Sequence, residues 1–206
     1  IEGFFYGSGC TESKALLLRS LLNDELAACG VTFEVYNDLL GAARALFGKT
    51  AGIACILGTG ANSCLYDGKR VVENTPPLGY ILGDEGSGAV LGKLFVNALF
   101  KGQLPESLKD EWLSETGLSI NIIINKVYRE PLANRFLAST SQFIHQHLSV
   151  EPLELMVVDN FREHFRCNVN QYGRKDLKVG AVGSVAYYYR EQLEKAAAAE
   201  GYSLGK

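Results

Sequence analysis

Residues Ile56–Gly88 are "ILGTGANSCLYDGKRVVENTPPLGYILGDEGSG". The apolar run "AGIACIL" enters a first Gly-rich segment, "GTGAN", and a second one, "LGDEGSG", precedes another apolar run. Between them, Asp67–Gly68 separates two short β-prone runs and predicts a two-residue hairpin turn. Glycine has no Cβ, so backbone N–H groups can approach a bound anion closely, and a helix N-terminus adds a favourable dipole. We therefore interpret this stretch as a strand, a hairpin and a helix start that handle a phosphate group.

Strand and helix patterns alternate on both sides of this stretch. The run "IEGFFYG" predicts a buried strand, and "VTFEVYND" alternates as a strand does. Between them, a helix is expected to begin after Thr11, to end at Gly30 and to bury Leu16, Leu17, Leu18, Leu21, Leu22 and Leu26. From about residue 85 to 172 the apolar residues have helical spacing, and the chain then returns to a strand, "DLKVGAVGSVA", a helix and a last strand. This order predicts an α/β fold with a parallel component and a helical insertion.

Charge and cysteine content restrict the classes of function. The 20 Lys and Arg against 23 Asp and Glu give a net charge of −3 without a long basic run, so no nucleic-acid partner is expected. No apolar stretch has the length of a membrane span, so no membrane partner is expected. The five cysteines lie far apart without a CxxC pair, which is typical of reduced thiols in a cytoplasmic protein. Because His145, His147 and His164 are predicted on different helix faces, we expect no metal site from them.

Gly-rich turns follow three of the predicted strands, in "YGSGCT", "LGTGAN" and "VGAVGSVA". Ligands of α/β sheets bind beyond the carboxyl ends of the strands, so three such turns at one sheet edge favour a nucleotide site. None is a Walker loop, since no Gly-Lys-Ser/Thr follows, and "GSGCTE" matches only part of the GxGxxG pattern. Taken singly, each is better explained as a plain turn.

Three acidic residues are candidates for the chemistry. Asp38 follows the strand "FEVYN" and precedes a helix, so it is either a helix N-cap or a carboxylate at a strand end. In the second position it could accept the proton of a substrate hydroxyl during phosphoryl transfer. Asp84 and Glu85 precede a long helix predicted from Gly86. They either stabilise the helix dipole or bind substrate hydroxyls or a water on Mg²⁺.

The motifs "VYND", "GTGAN", "LGYILGDEGSG" and "VGAVGSVA", in this order along essentially the whole chain, resemble the BadF/BadG/BcrA/BcrD ATPase family. Within it, they are most similar to the N-acetylglucosamine kinases of the sugar kinase/Hsp70/actin superfamily. The resemblance implies RNase H-like (actin-like ATPase) domains with mixed sheets that close on a cleft for ATP. Residues 1–50 would be the remainder of an N-terminal domain, and residues 51–206 the C-terminal domain with a helical block at about 85–172.

The same resemblance implies a role for each motif. Asp38 falls where these kinases carry the base that activates the sugar hydroxyl. The sugar-binding positions would be Asn37, Asn62, Gly79, Asp84 and Glu85, and the ATP-binding positions would be Gly58, Thr59, Gly60, Gly180, Gly183 and Ser184. The implied function is transfer of the γ-phosphate of ATP, with Mg²⁺, to a hydroxyl of N-acetylglucosamine or a related amino sugar. The family likeness also suggests a homodimer.

The chain departs from the family pattern in two places. The family's first phosphate motif, an Asp-Gly-Ser/Thr hairpin, is absent and the sequence begins at Ile1 without Met, so we expect an N-terminally truncated sequence with impaired activity. Pro77–Leu78 stands where the animal enzymes often carry Gly-Trp before this motif. The surroundings of an N-acetyl group are therefore expected to differ.

Two other functions are compatible with the same motifs. One is an ATPase that activates a 2-hydroxyacyl-CoA dehydratase or a benzoyl-CoA reductase. Such activators hold an iron–sulfur cluster between subunits through paired cysteines, whereas Cys55 and Cys64 are predicted on a strand and a hairpin. The other is a non-catalytic sugar sensor, which should have lost the base or the phosphate turns.

Overall fold

The computed structural model describes residues 1–205 of the chain. The strands are β1 (Glu2–Gly7), β2 (Thr32–Asn37), β3 (Gly52–Leu57), β4 (Ala61–Tyr66), β5 (Val71–Glu73), β6 (Lys178–Val182) and β7 (Ser203–Leu204). The helices are α1 (Glu12–Leu26), α2 (Asp38–Phe47), α3 (Gly79–Leu82), α4 (Gly88–Phe100), α5 (Glu106–Thr116), α6 (Ile120–Tyr128), α7 (Ala133–Ser139), α8 (Ser141–Gln146), α9 (Glu151–Cys167), α10 (Ser184–Tyr188) and α11 (Arg190–Ala199).

Five strands form a mixed sheet in the order β5-β4-β3-β6-β7. The central strand β3 pairs antiparallel with β4 and parallel with β6. Successive side chains of a strand point to opposite faces, and β3 is buried on both. Ile53, Cys55 and Leu57 belong to a large core shared with α4, α9 and α11, whereas Ala54 belongs to a smaller core beneath α2. The sheet is therefore covered by helices on both faces, which explains why β3 is apolar throughout.

The remaining strands, β1 and β2, form a parallel two-stranded sheet beside α1. Here the prediction that β1 is a buried strand is wrong, since Phe4, Phe5 and Tyr6 are exposed. The predicted buried stripe of α1 is confirmed only in part, because Leu18, Leu22 and Leu26 are half-buried and no residue of the helix is fully buried. Leu16, Leu17 and Leu21 are exposed, while the opposite side of the helix rests on β2. Among the described residues, no second layer of structure packs on this outer face of the helix, so helical spacing of leucines alone did not determine burial.

The helices α4 to α9 form the block that was expected between about residues 85 and 172. The helices α4 and α7 cross so closely that an added Cβ at Gly92 would lie 2.0 Å from the carbonyl oxygen of Leu137. The single tryptophan, Trp112, is 2% exposed in this block and stacks edge-on against Phe95. Within residues 1–205, no helix is both long enough and apolar enough to span a membrane. The boundary near residue 50 stays a prediction.

Candidate functional site

A cleft of about 570 Å³ lies where the two sheets meet. It collects the carboxyl ends of β2 and β3 and the turn after β1, as expected for a ligand site of an α/β fold. Eight of the twelve predicted site residues line it: Asn37, Asp38, Gly58, Thr59, Gly60, Asn62, Gly79 and Asp84. The structure therefore brings together residues that are up to about fifty positions apart in the sequence.

Asp38 is placed in the cleft by an abrupt change from strand to helix. The strand β2 ends at Asn37, and Asp38 is the first residue of α2. The Asn37 side chain caps this helix, because its Oδ1 accepts the backbone N–H of Leu40 at 2.8 Å. The interpretation of Asp38 as the N-cap is therefore wrong, and its half-buried carboxylate remains available to a ligand.

The predicted phosphate turn is a tight connection between β3 and β4. Its ends are held by the N–H of Gly58, which donates to the carbonyl of Gly60 at 3.0 Å. The first two N–H groups of α4, from Gly88 and Ala89, donate to the carbonyls of Gly58 and Thr59 at 2.8 and 3.1 Å. The first N–H groups of a helix have no partner within the helix. These bonds therefore provide partners for the N–H groups of α4 and for the carbonyls of the turn. An added Cβ at Gly58 would meet no heavy atom within 4 Å, so the turn faces open space.

Asp84 lies opposite this turn in a left-handed backbone conformation, with φ of +58°. Such a conformation is uncommon for residues other than glycine and is retained where the surroundings impose it. Its carboxylate approaches the turn, since an added Cβ at Gly60 would lie 2.9 Å from its Oδ2. Burial, and secondarily the charge of Glu85, raises the pKa of Asp84, while the N–H groups of Gly79 and Ala61 act in the opposite direction.

The helix α4 begins later than the sequence predicted. Its N-cap is Ser87, whose hydroxyl accepts the N–H of Val90 at 3.1 Å, and its first residue is Gly88. Asp84 and Glu85 are therefore outside the first turn, where the helix dipole acts most strongly, and the predicted helix start at Gly86 is wrong. The residues Asp84–Ser87 form a separate loop, which we call the acidic loop.

Three polar side chains of α9 and its C-cap hold the acidic loop, and we call them the α9 stripe: Asn160, His164 and Asn168. Asn160 accepts the N–H of Gly86 at 3.0 Å, and His164 Nδ1 contacts the carbonyl of Glu85 at 2.9 Å. Asn168 donates to the Glu85 carboxylate at 3.2 Å. Burial lowers the pKa of His164 to about 4, so its imidazole is neutral.

Glu85 itself points away from the cleft that holds Asp38. It lines a groove of about 730 Å³ and a small chamber of about 210 Å³, which lie on the other side of the acidic loop. The chamber shares Asn62, Pro77 and Asp84 with the main cleft. Of the two neighbouring acids, only Asp84 lines the cleft around Asp38.

A second cavity, of about 740 Å³, lies on the far side of the phosphate turn. Gly58 and Thr59 line both this cavity and the main cleft, and Ser184 lines this one alone. Its polar lining also includes Arg135, Gln142, His145 and Tyr188. The phosphate turn thus separates two cavities, each large enough for a small molecule.

Gly183 and Gly180, the other two predicted residues, line neither cavity. At Gly183, with φ of +111°, an added Cβ would lie 2.2 Å from the carbonyl oxygen of Leu57, so only glycine fits this turn. At Gly180 it would lie 3.0 Å from the Phe47 ring of α2. Both glycines allow close packing behind the site.

Several residues that line the main cleft were not predicted from the sequence. The turn after β1 contributes Ser8, Cys10 and Thr11 to the cleft, and Asn74 and Pro77 line it as well. The α9 stripe had a visible signal, because its members recur at intervals of four in "NFREHFRCN" among apolar positions. That spacing places side chains on one face of a helix.

Comparison with solved structures found one protein that is close to this chain in sequence and another that shares its fold. A structure named "Putative N-acetylglucosamine Kinase" from Porphyromonas gingivalis is 51% identical, with a TM-score of 0.94, over 98% of this chain and 71% of that one. A structure of the same printed name from Chromobacterium violaceum is 18% identical, with a TM-score of 0.68, over 84% of this chain and 62% of that one. The second shares the fold. No protein-family model and no curated protein matches the chain.

These likenesses confirm the predicted fold class, an RNase H-like, actin-like α/β fold with mixed sheets. They do not name the BadF/BadG family, so that part of the resemblance stays a prediction. At 51% identity over most of both chains, the protein belongs to the same family of sugar kinases as the Porphyromonas gingivalis protein.

Proposed function

We propose that the protein transfers the γ-phosphate of ATP to a hydroxyl of N-acetylglucosamine or a related amino sugar, with Asp38 as the general base. The observation that carries this proposal is the shared cleft of Asp38, Asp84 and the Gly58–Gly60 turn. Phosphoryl transfer depends chiefly on positioning and on stabilising charge. A carboxylate base, a hydroxyl-binding carboxylate and a Gly-rich turn in one cleft meet that requirement. The name of the P. gingivalis relative supports the amino-sugar substrate.

The sugar would occupy the main cleft. Asp38 would accept the proton of the attacking hydroxyl, because it lies at the cleft wall beside the phosphate turn. Asp84 would accept hydrogen bonds from sugar hydroxyls, with Asn62 and Asn37 as further partners. Burial of a carboxylate within hydrogen-bonding reach of hydroxyl groups favours discrimination, since a ligand lacking those groups leaves it unpaired.

The nucleotide would occupy the cavity beyond the turn, with its base and ribose near Ser184 and its phosphates at Gly58 and Thr59. This arrangement directs the γ-phosphate through the turn towards the sugar. Mg²⁺ commonly binds through substrate phosphates, waters and one or two carboxylates. Asp84, which lines the main cleft, would contact a water on the ion, while Asp38 would stay free to accept the hydroxyl proton; the ion would neutralise phosphate charge there.

The alternative functions are less well supported by the geometry. Cys55 and Cys64 are both buried and face opposite sides of the sheet, one in the large core and one beneath α2. Neither is presented at a surface where a cluster could join two subunits. A sugar sensor should have lost the base or the turn, whereas both line the cleft. The cytoplasmic location and the homodimer remain predictions.

The test is ADP release by the complete gene product with Mg²⁺-ATP and a panel of amino sugars. We expect release with N-acetylglucosamine or a close relative, and a loss of at least about a hundredfold in kcat for Asp38→Asn. The matched control is Asp110→Asn, at an exposed position of α5, which should retain wild-type rates. ADP release that is indifferent to every sugar and to Asp38 would contradict the proposal.

A second variant tests the phosphate turn separately. The Cβ of Gly58→Ala would enter open space, so the fold should persist while the room for a phosphate shrinks. We expect a raised KM for ATP at unchanged stability to urea. An unchanged KM for ATP would exclude close approach of the phosphates to Gly58.

A further inference from the structure

We propose that Asn160 and His164 are positioning residues that hold the acidic loop, and through it the Asp84 carboxylate, in the geometry that binds the sugar. The inference rests on the proposed function, because it assigns to Asp84 a hydroxyl of the bound sugar. Neither residue lines the main cleft, so both would act only through the backbone of the loop.

Asp84 has a backbone conformation that its neighbours must maintain. A non-glycine residue with φ of +58° tends to relax to another conformation unless its neighbours are fixed. The backbone on its C-terminal side is fixed at consecutive groups, namely the carbonyl of Glu85 by His164 and the N–H of Gly86 by Asn160. Asn160 also donates to the carbonyl of Ser87 at 3.4 Å. These contacts oppose rotation of the peptide units that follow Asp84.

Both positioning residues are buried. Asn160 and His164 are 3% and 1% exposed, so water does not replace their bonds when they are lost. Gly86 packs directly on the helix, since an added Cβ there would lie 2.8 Å from the Cβ of His164. The loop and helix α9 are therefore in direct contact, through the backbone of Gly86 and the side chains of Asn160 and His164.

The contacts of His164 define the orientation of its imidazole. The Glu85 carbonyl can only accept, so His164 Nδ1 carries the proton and Nε2 is the acceptor. Nε2 lies 3.5 Å from Cys55 Sγ on β3, so the thiol is placed to donate to it. This chain of contacts runs from the central strand through α9 to the acidic loop. These contacts link the loop that carries Asp84 to β3, the same strand that ends in the phosphate turn.

The experiment compares variants of α9 that do and do not touch the loop. For Asn160→Ala and His164→Ala we expect the KM for the sugar to rise roughly tenfold, the value of one hydrogen bond, while the KM for ATP changes less than about twofold. His164→Asn retains a donor near the Nδ1 position and should recover most of the sugar affinity. The matched control is Val157→Ala, which opens the core on the same helix without contacting the loop. It should lower stability and leave the KM for the sugar unchanged.

Amide hydrogen exchange gives a readout that needs no substrate. The N–H of Gly86 should exchange slowly in the wild type and much faster in Asn160→Ala, with the α4 amides unaffected. If the wild type releases no sugar-dependent ADP, the proposed function fails, and this exchange measurement alone still decides whether the loop is held. Unchanged exchange at Gly86, or an equal rise in both KM values for His164→Ala and Val157→Ala, would overturn the positioning role.

Discussion

Acidification should weaken the fold through His164. The buried imidazole has its pKa lowered to about 4 by burial, against an ordinary value near 6.5. Between pH 6.5 and about 4, the imidazole of His164 is therefore largely protonated in the unfolded chain and largely neutral in the folded chain. The stability that the neutral His164 contributes is fully present above pH 6.5 and is lost as the pH falls towards 4. Below that pH, this group causes no further change. At about 1.4 kcal/mol for each pH unit between the two values, the loss is about 3 kcal/mol.

The assay is urea unfolding at a series of pH values from 7.5 to 4, for the wild type and for His164→Asn. Carboxylates titrate in both proteins, so their contribution cancels in the difference. The other titratable groups that face His164, Cys55 from β3 and Glu85 from the acidic loop, are retained in both. We expect the wild type to lose about 3 kcal/mol more than the variant over this range. His145→Asn, at an exposed histidine, retains His164 and should follow the wild type.

Parallel stability curves for the wild type and His164→Asn would refute the reasoning. They would mean that the imidazole is protonated in the folded protein, or that water reaches it. Titration of the His164 ring by NMR provides a direct check, since its midpoint should lie near pH 4 in the folded protein.

Two further predictions concern the fold around the site. Gly92→Ala should destabilise the protein by about 1–3 kcal/mol, because its Cβ would overlap the carbonyl of Leu137. Lys93→Ala, at the next and exposed position, should cost little stability. Urea unfolding followed by Trp112 fluorescence measures both. Asn37→Ala should cost about 1 kcal/mol through loss of the α2 cap, while Thr11→Ala should cost much less, since Thr11 makes no capping bond to α1. Equal losses at the two cap positions would contradict the assigned capping bond.

Much of the fold followed from local patterns. The apolar run that became β3, the hairpin signal at Asp67–Gly68 and the helical spacing after residue 88 were sufficient to predict the mixed α/β class. The exposed face of α1 was not predictable, because burial depends on what lies opposite a helix and not on its own periodicity. The start of α4 was misplaced because Ser87, a cap residue, follows two acids that also favour a helix start.

Only the part of the site that lies at the ends of strands was predictable from the sequence. Asp38 and the Gly58–Gly60 turn follow strands directly, so their meeting in one cleft could be anticipated from topology. The sequence could not separate the roles of Glu85 and Asp84, because they are adjacent acids and no sequence signal marks the left-handed conformation of Asp84. The α9 stripe lies more than seventy residues from the loop that it holds, so its partner was invisible without the tertiary structure.

The α9 stripe also limits how the length of this chain can vary. Each residue of an α-helix turns by about 100°, so a single insertion between Asn160 and His164 would rotate the imidazole away from the acidic loop. The contacts of His164 and Asn168 with the acidic loop would be lost together, although no side chain had been replaced. The exposed connection at residues 101–103, between α4 and α5, carries no such restriction. Among homologues we therefore expect insertions and deletions there, and a constant number of residues between Asn160 and Asn168.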